Sequence, residues 1–199
     1  MELVIATGNR HKFREIAARF SEIHGLIPVH AGDLGEMPRV EETGSTFRDN
    51  ALIKARAFSR WSNLPALADD SGLEVDALKG RPGVYSARYG GPELDDGERN
   101  LLLLSEMEKV PDEKRTARFV CVMALALPGG DEWTVRGECP GMITRHPSGR
   151  EGFGYDPVFY LPEKGFTMAE ISPGEKNRIS HRARALDLAL TRLQTMIHG

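Results

Sequence analysis

Pro65-Ala66-Leu67-Ala68-Asp69-Asp70-Ser71-Gly72-Leu73 is a short apolar run that ends in two adjacent carboxylates, a hydroxyl and a glycine. It reads as a buried strand that delivers charge at its end. In an α/β protein the strand ends form the crevice where ligands bind, so carboxylates there are candidates for holding a metal or activating a water. Side chains alternate along an extended strand. Asp69 and Asp70 are therefore expected on opposite sides, one doing chemistry and the other tying down structure. Taken alone, the segment also fits a turn with an Asp N-cap.

Upstream, Leu3 to Ala6 reads as a first strand, followed by Thr7-Gly8-Asn9 and then Phe13, Ile16, Ala17 and Phe20 at helical spacing. A second helix is expected from about Ser45 to Trp61, capped by Ser45 or Thr46 and leading through Asn63-Leu64-Pro65 into the acidic strand. Downstream, a third helix is expected from Asp95 to Lys109, ended by Pro111. Two strand-like runs, Thr116 to Leu127 and Glu132 to Cys139, are joined by Pro128-Gly129-Gly130-Asp131, a hairpin signal that makes the sheet mixed rather than wholly parallel. The glycine-rich stretch from Gly149 to Pro157 reads as a functional loop, and a helix from about Arg182 to Ile197 closes the chain.

A chain of 199 residues with 40% hydrophobic content supports one sizeable core, so a single domain with room for a lobe is expected. The net charge of -3 and pI near 6.1 argue against a general nucleic-acid binder, which would show a basic face. The apolar N-terminal run from Met1 to Ala6 is too short for a signal peptide or a membrane span, which points to a cytoplasmic protein. Cys121 and Cys139 lie far apart with no second pair, so both are expected to be reduced and packed in strands. The six histidines show no metal-ligand spacing, and most are expected at the surface; only His181 sits in company that suggests a task.

Five segments carry possible chemistry beyond the acidic strand. Thr7-Gly8-Asn9-Arg10-His11-Lys12 links the first strand to the first helix, where free N–H groups and the helix dipole favour a phosphate. It lacks the glycines and terminal Lys-Ser/Thr of a Walker loop, and an ordinary strand-to-helix turn accounts for it equally. Glu41-Glu42-Thr43-Gly44-Ser45-Thr46 precedes a helix that presents Asn50 and Lys54 on one face. If Glu42 meets Asp70 in space, the pair makes a hard-oxygen site for Mg²⁺; otherwise the segment is a solvated acidic loop with a capping box. Gly152-Phe153-Gly154-Tyr155-Asp156-Pro157 offers aromatic faces for a flat ligand and an acceptor for a ring N–H, or else a hydrophobic turn. Lys176-Asn177-Arg178-Ile179-Ser180-His181-Arg182 clusters donors at the start of a helix, where the dipole disfavours cations, a broken local rule of the kind ligands explain. Arg88, in the Gly80 to Tyr89 stretch, is a further candidate for a phosphate or a neighbouring subunit, and reads equally as part of an exposed loop.

Together, and in this order, these segments resemble the Ham1-type inosine/xanthosine triphosphate pyrophosphatases. The resemblance runs through Thr7-Gly8-Asn9 with Lys12, Glu42-Thr43-Gly44 with Thr46-Phe47, Asn50-Ala51, Lys54-Ala55 and Asp69-Asp70-Ser71-Gly72-Leu73. It continues through Pro82-Gly83, Tyr85-Ser86-Ala87-Arg88, Phe153-Gly154-Tyr155-Asp156-Pro157, Ala169-Glu170, Lys176 and Ser180-His181-Arg182, covering nearly the whole chain.

The resemblance implies an elongated α/β fold around a long twisted mixed sheet, one domain over residues 1–199 with two lobes around a cleft, and a homodimer. It also implies hydrolysis of ITP, dITP or XTP between the α and β phosphates, giving the monophosphate and pyrophosphate, with Mg²⁺ as cofactor. On the same footing, Thr7, Gly8, Asn9, Arg10, His11, Lys12 and Lys54 hold the triphosphate, and Glu42 and Asp70 hold the metal. Asp70 is the general base, Ser71 joins the substrate contacts, and Phe153, Gly154, Tyr155, Asp156, Lys176, His181 and Arg182 form the base pocket. The rival readings are a Maf-type nucleotide pyrophosphatase with another base pocket and a non-catalytic nucleotide-binding protein. A haloacid-dehalogenase-like phosphatase would need its two aspartates one residue apart, and Asp69 and Asp70 are adjacent.

Overall fold

The acidic run is a strand. The computed structural model describes residues Met1 to His198, apart from the side chain of His11. The chain runs β1 (Glu2–Ile5), α1 (Arg10–Phe20), β2 (Ile27–His30), α2 (Phe47–Ser62), β3 (Ala66–Val75), α3 (Asp96–Glu106), β4 (Thr116–Ala126), β5 (Glu132–Ile143), β6 (Phe159–Leu161), β7 (Phe166–Thr167), α4 (Pro173–Ile179) and α5 (His181–His198). The strands form one seven-stranded sheet in the order β2-β1-β3-β4-β5-β6-β7. It is mixed, as the hairpin signal implied. β1 pairs in parallel with β2 and β3, and β6 pairs antiparallel with β5 and β7.

Local chemistry accounts for most boundaries. Of the two expected caps for α2, Thr46 is the one used: its hydroxyl accepts the Asp49 N–H at 3.1 Å, and the helix ends at Asn63 in the left-handed region. α3 opens with a reciprocal capping box between Asp95 and Glu98. It stops at Glu106, three residues short of the expected end. There the carbonyl of Met107 accepts from Nη1 of Arg115, a side chain only 2% exposed that also donates to the carbonyls of Val110, Ile143 and Thr144.

Two expectations need correction. β5 runs to Ile143, four residues past Cys139, through Pro140 and Gly141. A Cβ on Gly141 would lie 2.5 Å from the Phe159 ring, so the bare backbone there is what lets β6 come alongside. The segment from Lys176 to Arg182 does not open the last helix. It is split at Ser180, an extended residue that ends α4 and whose hydroxyl accepts the Ala183 N–H at 3.2 Å, so that Lys176 sits in a separate seven-residue helix. His24, His146 and His198 are exposed, as expected of most histidines, whereas His30 is 4% exposed with its ring edge-on to Phe13, because the alternation of β2 turns it inward. The free cysteines are buried in β4 and β5, as read from the sequence.

The chain divides into two compact units. The first comprises Met1–Asp70, Cys121–Gly137 and the segment from Arg184. Its core is built on Leu3, Ile5, Phe20, Leu67, Met123 and Leu193. The second comprises Ser71–Val120 and Glu138–Ala183, around Leu73, Leu103, Met107, Phe119, Phe159 and Met168. β3, β4 and β5 each contribute residues to both. Among the described residues no helix is long and apolar enough to cross a membrane.

Candidate active site

In the first unit, the end of β3 meets α1 and α2. Asp69 is 6% exposed and its carboxylate is ion-paired with the Lys12 ammonium from α1. Asp70, half-buried, accepts from Asn50 Nδ2 of α2 at 3.1 Å. The two carboxylates thus have different partners, as alternation along the strand requires. Lys54, one turn after Asn50, donates to the Asp69 carbonyl at 3.0 Å and pairs with Glu42 at 2.5 Å. Asn50 works in both directions, since its Oδ1 accepts the Gly44 N–H at 2.7 Å. A Cβ on Gly44 would fall 2.7 Å from that same oxygen, so the glycine is what allows the 42–44 segment to close on α2.

Burial pushes the Asp70 carboxyl up to about 6; the Asn50 hydrogen bond works against this and the Glu42 charge adds to it. Two carboxylates crowded in a partly dry place hold excess negative charge that a cation relieves. The donor set therefore fits a hard divalent ion. Among the described residues no group of three or more His, Cys, Asp and Glu could hold a metal. The fit therefore rests on two carboxylates completed by phosphate oxygens and waters, a common arrangement for Mg²⁺.

At the start of α1, the Asn9 side chain accepts the Lys12 N–H at 3.2 Å and the Thr7 hydroxyl accepts the Asn9 N–H at 3.1 Å. Both side chains thereby shape the loop. Arg10 pairs with Asp33 at 2.7 Å. A Cβ on Gly8 would come within 3.2 Å of the Met37 methyl, so any larger residue there would crowd Met37. The His11 side chain lies outside the described residues.

In the second unit, Phe153, Asp156 and Lys176 form one cluster. The Lys176 ammonium is ion-paired with Asp156 Oδ2 and stands 4.5 Å from the centre of the Phe153 ring. Phe153 is 63% exposed and offers a free face. Tyr155 is buried and its hydroxyl donates to the Ser86 carbonyl at 2.9 Å, so its ring serves the core. Asp156 is buried too, and the same Oδ2 accepts the Phe153 N–H at 2.8 Å. His181 is buried with its ring stacked on Phe119 at 5.0 Å, and Arg182 beside it is half-buried. Ser71, half-buried, follows Asp70 on β3.

Residues 3–192 match the model of the Ham1 family. The chain belongs to the Ham1 family. This Ham1 chain is 55% identical over 185 residues to a dITP/XTP pyrophosphatase of Geobacillus kaustophilus, covering 93% of its own length and 90% of that protein. It is 53% identical over 186 residues to a dITP/XTP pyrophosphatase of Geobacter sulfurreducens, with 94% and 93% covered. Among solved structures, a Ham1 protein from Coxiella burnetii superposes with a TM-score of 0.92 at 42% identity, covering 98% and 99% of the two chains.

Sequence reasoning gave Asn50 a shared face with Lys54 but no role at Asp70; Gly44 six residues ahead of it was the available signal. It passed over Asp96 and Asn100, which reach the Phe153 loop of the Ham1 chain from 58 and 54 residues away.

Proposed function

We propose that this Ham1 chain hydrolyses non-standard purine nucleoside triphosphates (ITP, dITP and XTP) to the monophosphate and pyrophosphate. The observation that carries the reading is Asp70: a carboxylate with a raised pKa, oriented by Asn50, beside Glu42 and Lys54. The Thr7–Lys12 loop and Lys54 hold the phosphates, and Glu42 and Asp70 are the residues that would hold Mg²⁺. Such an ion offsets charge on the phosphate oxygens and on the leaving pyrophosphate. Asp70 orients and deprotonates the attacking water; a neighbouring cation keeps it ionised at neutral pH.

The base falls to Phe153, which gives a stacking face, and to Lys176, His181 and Arg182 as donors. Hypoxanthine and xanthine carry an acceptor oxygen at C6, whereas adenine presents an amino group that leaves those donors unpaired. Sites that work by such pairing discriminate by roughly 10⁴-fold or more. The same reading makes the protein a cytoplasmic homodimer with no nucleic-acid or membrane partner, and light scattering in solution tests the dimer.

The deciding experiment is pyrophosphate release from ITP, dITP, XTP, GTP and ATP, with Mg²⁺ and with EDTA, for wild type and Asp70→Asn. Metal-dependent cleavage of ITP, dITP and XTP whose kcat falls about 10³-fold in the variant, with KM changed only a few-fold, is the expected result. Equal turnover of all five nucleotides points to another pyrophosphatase class, and an unchanged kcat in the variant removes Asp70 from its role.

A further inference from the structure

Phe153 projects its ring into solvent, yet the loop that carries it is tied at successive positions. Gly152 has φ +81, and a Cβ there would overlap the Asp156 carboxylate that receives the Phe153 N–H. Tyr155 is anchored through its hydroxyl on the Ser86 carbonyl, and Ser86 Oγ in turn accepts the Leu73 N–H of β3 at 2.8 Å. Between these anchors lies Gly154, in the left-handed region at φ +61, with nothing near the place a Cβ would occupy. Its peptide groups are the part of the loop held from α3.

Asp96 Oδ2 accepts the Gly154 N–H at 2.8 Å, and Asn100 Nδ2 donates to the Gly154 carbonyl at 3.0 Å. One residue's donor and acceptor are thus both held by side chains one helical turn apart. Asn100 is 3% exposed, and its Oδ1 is buried without a hydrogen-bond partner. A buried acceptor left unmatched is costly. Among the described residues the amide bonds only to Gly154, and that bond is what orients it. The helix behind the clamp is rigid, with a capping box at its start and Leu103 fully buried on its inner side.

We propose that Asp96 and Asn100 are positioning residues for base recognition. They fix the backbone of Gly154, and through it the direction of the Phe153 ring and its contact with Lys176, without touching substrate. This rests on the nucleotide reading above. Because the clamp acts on the base end alone, its loss weakens substrate capture and leaves the phosphate chemistry intact.

The test combines steady-state kinetics on XTP, inhibition by inorganic tripolyphosphate, and amide hydrogen exchange at Gly154 in wild type, Asp96→Ala, Asn100→Ala and Asp96→Asn. The alanine variants are expected to raise KM for XTP roughly five- to tenfold, the loss of one hydrogen bond, with kcat within about twofold. Ki for tripolyphosphate stays at the wild-type value. Asp96→Asn keeps an acceptor oxygen and restores KM, and Gly154 exchange accelerates in Asp96→Ala but not in Asp96→Asn. Asp96 lies at a helix start, so its variants keep the test alive should Asn100→Ala fail to fold. Faster Gly154 exchange with unchanged KM overturns the proposal, as does a rise in tripolyphosphate Ki that matches the rise in KM. Wild-type turnover separates the two readings: its absence sinks the proposed function, whereas normal wild-type turnover with unchanged KM in both alanine variants sinks only the clamp.

Discussion

The polar groups at the end of β3 in the first unit and those around the Phe153 loop in the second are held by different means. In the first, side chains chiefly hold one another, through the ion pairs of Lys12 with Asp69 and Lys54 with Glu42 and the hydrogen bond from Asn50 to Asp70. In the second, side chains hold backbone: Asp96 and Asn100 on Gly154, Asp156 on Phe153, Tyr155 on Ser86. Paired charges can respond to an incoming ion or phosphate, because the newcomer supplies a charge in place of the partner it displaces. Backbone clamps resist displacement. On the proposed function, the contrast suits one region to charge that changes during a reaction and the other to a shape that must not.

The sharpest way to break the contrast is Lys176→Ala. Lys176 is the one ammonium in the aromatic cluster, so its removal takes away a charge-assisted contact and the cation over Phe153. KM for XTP should rise about 30-fold while the metal concentration for half-maximal activity stays put. A change in metal requirement instead would assign Lys176 to the electrostatic end.

Gly152→Ala comes next. It forces a side chain into the left-handed region and against Asp156. A loss of about 1–2 kcal/mol in stability is expected by denaturant titration, with a several-fold rise in KM for XTP. Unchanged values for both would show that the loop adapts and that its clamps are weaker than drawn here.

The charged end is better probed by pH. Asp70 moves from an ordinary 3.8 to about 6 in the folded metal-free protein, so the native state binds its proton more tightly than the unfolded chain does. Its contribution to stability is fully present below pH 3.8 and is lost as pH rises through about 6. The difference in Tm between wild type and Asp70→Asn, measured without metal, should therefore widen in favour of the variant across that window. A difference that is flat across it would mean that Asp70 is not held as described.

The smallest effect is expected at Arg56→Ala. Arg56 and Glu132 make a double contact at 2.6 and 2.7 Å in the first unit, but at a solvent-exposed position. The loss should stay below about 1 kcal/mol and disappear in high salt, with activity untouched. A larger loss would show that the charged unit is stabilised by its surface pairs as well as by its core.

Much of this architecture was legible because its causes are local. The β3 run, the Thr46 cap, the start of the third helix beside Asp95 and the Pro128–Asp131 turn are each written within a few residues. So was the candidate site in the first unit, since β3 and α2 follow one another and bring Asp70, Asn50 and Lys54 together over a short stretch of chain. What escaped depends on partners far away in sequence. β5 passes through Pro140-Gly141 because Phe159 needs the room. Asp96 and Asn100 look like an ordinary polar helix face until Gly154 is beside them.

Arg115 carries a different kind of consequence. Its guanidinium supplies four backbone carbonyls, on Met107, Val110, Ile143 and Thr144, from a position closed to solvent. No other residue type presents that fan of donors, so even lysine leaves several carbonyls bare. An inventory of tolerated substitutions across this protein would record an intransigent site whose contacts are backbone carbonyls. Anyone tracing the active site from mutational intolerance alone would be led there by a residue whose whole business is to finish other people's hydrogen bonds.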